Sequence, residues 1–382
     1  MRLSGKQFHL CFQFFLFTVV LFFLGADASC ASENNLERGK RYMLQKGVIT
    51  EIVEERIMPP HGIHTRPKGY KLVKVKITSG ERKGEVFQTK ARLSAIPGLG
   101  VDARPGLRVL VHLIERKDGA HAAIVDYNRE RYVYLITGIF FGLLIIIGKM
   151  KGVKSIVALG CTLMMIFYIL LPLLKRGYSP IPVSIATAIV INIIVFLILS
   201  GFTNKSFTAI VGTSFGVALA GLTGFAVGAL SHTTGIPFEE ARMLYFRQMG
   251  TPLDFRGLIF AGVLIGSLGA VMDVAMSIAS SLEEIKIHKQ GLSGRELFHS
   301  GMNVGRDIMG TMSNTLILAY VGGSIAFLLL LLKLEKPYQM IINSNLIVGE
   351  IIQGLAGAIG IVLAVPLTAF AGSYLSRWKR TG

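Results

Sequence analysis

Charge is scarce in this chain. Only 16% of its 382 residues are Asp, Glu, Lys or Arg, against 52% hydrophobic, and mean hydropathy is +0.56. Soluble domains carry about a quarter charged residues, so an ordinary soluble fold is excluded. Acidic residues are the scarcer sign: 23 against 40 Lys and Arg, for a formal net charge of +17. No basic motif is interleaved with aromatics, so nucleic acid is not an expected partner. The cations sit beside apolar runs, where they set topology and attract anionic lipid. Cysteine is also rare. Cys11 and Cys161 fall inside apolar runs and Cys30 stands alone, which leaves neither a disulfide framework nor a zinc site. Asp27, three positions before Cys30, argues against a lipidated cysteine. There is no Gly-x-Ser-x-Gly, no His-Glu-x-x-His and no phosphate loop. No enzyme activity and no cofactor are expected. His61 and His64, with His112 or His121, read as a solvated loop rather than a metal site.

Long apolar runs are what the chain has instead. Arg2 and Lys6 precede an apolar stretch ending near Gly25, and Ala26-Asp27-Ala28 fits a small-x-small cleavage site. Residues 1–30 therefore read as a signal peptide or an N-terminal anchor helix. Residues 31–130 form an exported domain. It has short β-branched runs at Val48–Val53, Lys71–Ile77, Val86–Phe87, Val109–Ile114 and Ala122–Val125. About five short strands in a hundred residues predict a small mostly-β domain of OB-like type. Residues 131–382 form the membrane domain. Seven apolar segments follow: Tyr132–Gly148, Val153–Leu174, Ile181–Gly201, Phe207–Leu230, Gly257–Ser280, Thr311–Leu332 and Leu346–Tyr374. Each is long enough to cross about 30 Å of hydrocarbon. Pro366 should kink the last. The fold class is a polytopic α-helical membrane protein of about seven transmembrane helices with an extracytoplasmic β domain.

Orientation follows from the basic residues. Lys149, Lys151, Lys154, Lys205, Lys286, Lys289, Arg295 and Arg306 fall on one side with the tail cations. That bias puts the C-terminus in the cytoplasm and the β domain outside.

One carboxylate stands inside the fifth segment. Asp273 interrupts an otherwise uncharged run, and an ionisable group there costs upwards of about 2.5 kcal/mol. On a helix, Gly262, Gly266, Gly269, Asp273, Ser277 and Ser280 share an arc of about 80°. Two readings are open: a close-packing seam, or a site for an ion or polar solute. Asn314 begins the sixth segment at similar depth, Arg306 and Asp307 lie just before it near the inner boundary and would join it in one inner polar cluster with Asp273, and Glu350 in the seventh is a second carboxylate nearer the outer surface. On the fourth segment Gly212, Gly216, Ala220, Gly224 and Gly228 recur at steps of four and read as a packing face.

The longest motifs carry a family resemblance. Leu253-Asp254-Phe255-Arg256-Gly257, Gly269 to Ser281, Arg295 to Phe298, Ser300 to Met312, Asn314 to Tyr320 and Ala364 to Thr368 resemble the signature of the YibE/F family over about Tyr132 to Leu375. The resemblance implies a bacterial multi-pass membrane protein and a permease role. The expected function is thus passage of a small ion or polar solute, with Asp273, Asn314 and Ser277 forming the site and Asp307, Arg306 and Glu350 as further candidates. The alternative is a non-transporting anchor or signalling module whose basic exported domain, with 19 Lys and Arg against 12 Asp and Glu, binds an anionic envelope polymer. The small-residue faces also leave room for a homo-oligomer.

Overall fold

The computed structural model describes residues 42–58, 68–93, 100–116, 119–234, 243, 253–289, 291–333 and 337–378. The leader at residues 1–30, the pair His61 and His64, and the turn at Pro237 lie outside these residues. The chain divides into two units, Met1–Ile146 and Ile147–Gly382.

In the first unit, all five expected strands are present: β1 (Tyr42–Met58), β2 (Lys68–Ile77), β3 (Val86–Leu93), β4 (Arg108–Arg116) and β5 (Gly119–Tyr127). They form one antiparallel sheet in the order β3-β2-β1-β4-β5. β1 is long because it serves both halves. Its first part pairs with β4 and its second with β2, with register shifts between Ile49 and Glu51 and between Ile52 and Glu54. Such bulges sharpen strand twist. The sheet curls until its two edges meet: the Thr89 hydroxyl on β3 donates to the Ala122 carbonyl on β5 at 2.6 Å. Period-two alternation sends Ile49, Val73, Val75, Ile77, Ala91, Val109, Val111 and Leu113 inward, and Val101 and Ala103 close the core. Gly47 faces this core, where a Cβ would stand 2.6 Å from Val75 Cγ1.

The helices begin with α1 (Glu130–Lys175), which merges the first two predicted segments and is π-helical over Met165–Leu170. Its backbone leaves helical geometry at Lys149, with φ 48° and ψ −128°. The second unit then contains α2 (Pro180–Ser200), α3 (Asn204–Leu230), α4 (Phe255–His288), α5 (Gly294–Gly323), α6 (Ile325–Lys333), α7 (Tyr338–Ile342) and α8 (Asn345–Trp378). The starts are capped as their sequences direct. Thr203 accepts from the Ser206 N–H, Asp254 from the Gly257 N–H, and Ser293 with Glu296 forms a capping box. Helix α8 continues through Pro366. Helices α1, α2, α3, α4 and α8 are each long and apolar enough to span a membrane, and α5 with α6 forms a sixth candidate bent by 60°. This is a multi-pass membrane protein.

The tightest pairing joins α3 to α8. Gly212 meets Thr368, Gly216 meets Ala364, Ala220 meets Gly360 and Gly224 meets Ala356. One series rises by fours as the other falls, so the helices are antiparallel. A Cβ on Gly216 would stand 2.8 Å from the Ala364 Cβ and 3.1 Å from the Gly360 carbonyl oxygen. Only glycine permits that approach, as the glycine spacing of this segment predicts. The same contacts give the other directions. Helix α4 runs against α3 (Val271 to Gly216, Val263 to Gly224), and α5 runs against α4 (Gly305 to Ile278, Gly301 to Leu282). Helix α8 runs against α5 in turn (Val365 to Gly305, Leu316 to Gly357).

Candidate functional site

Helix α4 is the central helix of the second unit and buries most of its circumference. Phe260, Val263, Leu264, Leu268, Val271, Met272, Val274, Ala275 and Ile278 pack into the core. The narrow strip left exposed consists of Gly262, Gly266, Gly269, Asp273 and Ser277. Five of the six stripe residues read from the sequence share this exposed strip, Ser280 being half-buried, and Gly266 meets Tyr320 of α5. A Cβ on Gly262 or Gly269 would meet nothing within 4 Å. The close helix approach in this protein belongs to α3 and α8 instead.

Helices α2 and α5 contact α4 on either side of the stripe. On one side the Ser200 hydroxyl at the end of α2 lies 3.8 Å from the Met276 sulfur. On the other, α5 contacts α4 through Gly305 at Ile278 and through Tyr320, whose hydroxyl occupies the place a Cβ on Gly266 would take. At 100° per residue, Met276 and Ile278 flank the Asp273 line from opposite sides. Among the described residues the stripe is thus an exposed strip between the α2 and α5 contacts, called the groove below. The edge of α5 that overlooks it carries Arg306, Ser313 and Tyr320 at intervals of seven, which keeps them nearly in line. Ser313 Oγ is buried and has no hydrogen-bond partner among the described residues. No hydrogen bond or ion pair reaches the Asp273 carboxylate among them either. The exposed strip thus offers one carboxylate and the Ser277 hydroxyl beside the Tyr320 phenol, while the Ser313 hydroxyl is buried.

The predicted cluster of Asp273, Arg306, Asp307 and Asn314 is only partly assembled. Between the Gly305–Ile278 and Tyr320–Gly266 contacts, α5 passes Asp273 at about the level of Met309 to Ser313. Asn314 is therefore close to the expected depth, but both it and Asp307 are exposed on the face of α5 turned away from α4 and α8. Neither joins Asp273. Arg306 is exposed and bonds within α5, its Nη1 donating to Asn303 Oδ1 at 3.4 Å. Glu350 is half-buried one turn before Gly354, which packs on the Tyr320 ring. It belongs to the Tyr320 end of the groove, about 10 Å along the axis from Asp273.

Sequence reasoning did not single out Tyr320 or the buried Asn192. Asn192 Nδ2 donates to the Ile210 carbonyl at 3.0 Å and to Ser214 Oγ at 2.9 Å, tying α2 to α3. The seven-residue spacing of Arg306, Ser313 and Tyr320 was a readable signal, but only tertiary contacts say which line of α5 faces the groove. Among the described residues no three His, Cys, Asp or Glu side chains gather as a metal site.

A family model described as YibE/F-like protein matches residues 136–378. The chain belongs to the YibE/F family. The match spans α1 to α8 and includes every residue of the groove. Comparisons with curated proteins and with solved structures find no match. The YibE/F relationship and the groove are therefore the two facts from which function is argued.

Proposed function

We propose that this YibE/F protein is a permease of the bacterial cytoplasmic membrane that conducts a small cation or polar solute along the α2–α5 groove. The observation behind this reading is the unpartnered Asp273 on the floor of a groove otherwise made of glycine and hydroxyl side chains. A carboxylate at such depth is stabilised by a cation, a proton or a polar ligand, and ionisable residues of this kind mark transport pathways. Ser277 and Ser313 would complete the site, Arg306 would guard one mouth and Glu350 with Tyr320 the other.

We read the topology as seven crossings. At 1.5 Å per residue the 46 residues of α1 would extend about 70 Å, more than twice the hydrocarbon thickness. Lys149, where the helix breaks beside Lys151 and Lys154, is then the turn between two spans. Alternation puts the Lys205 and Lys286 end and the C-terminus in the cytoplasm and the β domain outside.

The test is thermal unfolding of the purified full chain against a panel of ions and polar metabolites. A ligand at a hundredfold excess over its Kd stabilises by about 2.7 kcal/mol. The expected outcome is a stabilising ligand for the wild type that Asp273→Asn no longer binds, with solute flux lost in liposomes. Unchanged flux in a folded Asp273→Asn protein would sink the proposal.

A second reading has its own support. The strand order and the β3–β5 closure suit an OB-like barrel. The outer face of β2 and β3 carries Lys74, Lys76, Lys90 and Arg92, with Lys90 Nζ 4.6 Å from the Tyr70 ring centre. That face suits an anionic envelope polymer. Retained function after deletion of residues 31–128 would dismiss this reading.

A further inference from the structure

The face of α5 turned away from the bundle is polar where a lipid-facing surface should be apolar. Asn303, Asp307, Gly310 and Asn314 are all exposed on it, and Val321 extends the line. Their spacing is four, three, four and then seven. This 3.5-residue period is the seam of a left-handed helix pair. Gly310 has open space before it, with nothing within 4 Å of a Cβ placed there.

Depth makes the seam costly to leave bare. Gly305, beside Arg306 and Asp307, is level with Ile278 on α4 and Val365 on α8, both within apolar stretches of their helices. The basic residue Lys286 lies about two turns further along α4. Arg306 and Asp307 are thus exposed charged groups beside apolar stretches of α4 and α8, near the level at which α2 ends at Ser200, and Asn314 lies deeper. Charged and amide side chains at such positions pair with one another across helices.

We propose that a second copy of this chain covers the seam, the two α5 helices packing side by side through Asn303, Asp307, Gly310 and Asn314. Arg306 of each copy would reach Asp307 of the other. A two-fold axis along the membrane normal brings identical positions together, so a partner must be self-complementary. The adjacent cation and anion meet that demand, since rotation sets each Arg306 beside the opposite carboxylate. Gly310 at the midpoint lets the backbones approach, and the two Asn positions fix register, as a polar residue in a helix seam does. The 60° bend after Gly323 ends the seam. The proposal shares Arg306 with the permease reading and is otherwise separate from it, because Asn303, Asp307, Gly310 and Asn314 lie on the side of α5 turned away from α4.

The test is disulfide scanning in native membranes. Cys11, Cys30 and Cys161 are replaced by Ser in the full chain, and single cysteines are placed from Asn303 to Thr315. Oxidation should yield covalent dimers at Asn303, Gly310 and Asn314 and none at Val304, Ile308 or Thr315. No dimer at any position, or equal yield at all of them, overturns the proposal. A charge swap checks the pairing. Arg306→Asp should lower the dimer fraction in detergent by about tenfold or more, and adding Asp307→Arg should restore it. A dimer fraction unchanged in both variants overturns the Arg306–Asp307 contact. None of these readouts requires transport activity.

Discussion

Two carboxylates of this chain stand in opposite surroundings. Asp102, in the β domain, accepts from Lys71 Nζ at 3.1 Å and from Arg104 at 3.1 Å. The Lys71 bond first, and Arg104 after it, hold its carboxyl below the usual range. Lys71 is held above its ordinary value, chiefly by Glu55 at 2.9 Å and then by Asp102. The signs give a pH window. The Asp102 contribution is complete above the unfolded carboxylate value of about 3.9 and is lost as pH falls through the lower folded value. The Lys71 contribution is complete below about pH 10.4 and fades only as pH rises through the higher folded value. Amide exchange of β2 and β4 in the full chain should therefore quicken below about pH 4 in the wild type, and Asp102→Asn should flatten that dependence. An acid response identical in the variant would refute the assignment. Asp273 has no such cation among the described residues. Its exceptional position was legible in the sequence because one charge in nineteen apolar residues stands out. Its lack of a partner was not legible, because the arc a stripe occupies says nothing about which neighbour fills the space before it.

At the scale of elements, the glycines divide into two kinds that look alike in sequence. Gly212, Gly216 and Gly224 of α3 face α8, whereas a Cβ on Gly262 or Gly269 of α4 would meet nothing among the described residues. Substitution separates them. Gly216→Val should destabilise the folded protein by about 1–3 kcal/mol through overpacking. Gly262→Ala should be neutral or slightly stabilising, since a helical glycine carries a penalty of about 1 kcal/mol relative to alanine. Thermal midpoints in one detergent check both, and equal effects would contradict the contacts described. The five strands were legible from alternation, as Lys71 to Ile77 demonstrates. The length of β1 was not, because its bulges shift the pattern between Ile49 and Glu54. Helix α5 begins seventeen residues before the apolar run that announced it, since hydropathy finds hydrocarbon and not the capping box at Ser293.

For the whole molecule, the open quantity in the sequence is the number of crossings. Five helices and a bent pair are long enough, and α1 alone holds material for two. Single cysteines at Lys149 and Arg377, in a background lacking Cys11, Cys30 and Cys161, decide it in intact cells. With seven crossings neither is labelled by an impermeant maleimide until the membrane is permeabilised. Labelling of the two from opposite faces would give α1 a single crossing.

The pairing of α3 with α8 also imposes an order on biosynthesis. The glycine groove of α3 is complete once residue 228 has been made, but its partner begins at Asn345. At 5–20 residues per second the ribosome needs on the order of ten seconds to supply it. Throughout that interval a surface shaped for another helix faces lipid or the insertion machinery. A nascent chain interrupted before α8 would present that surface indefinitely, and should be recognised as unfinished and degraded.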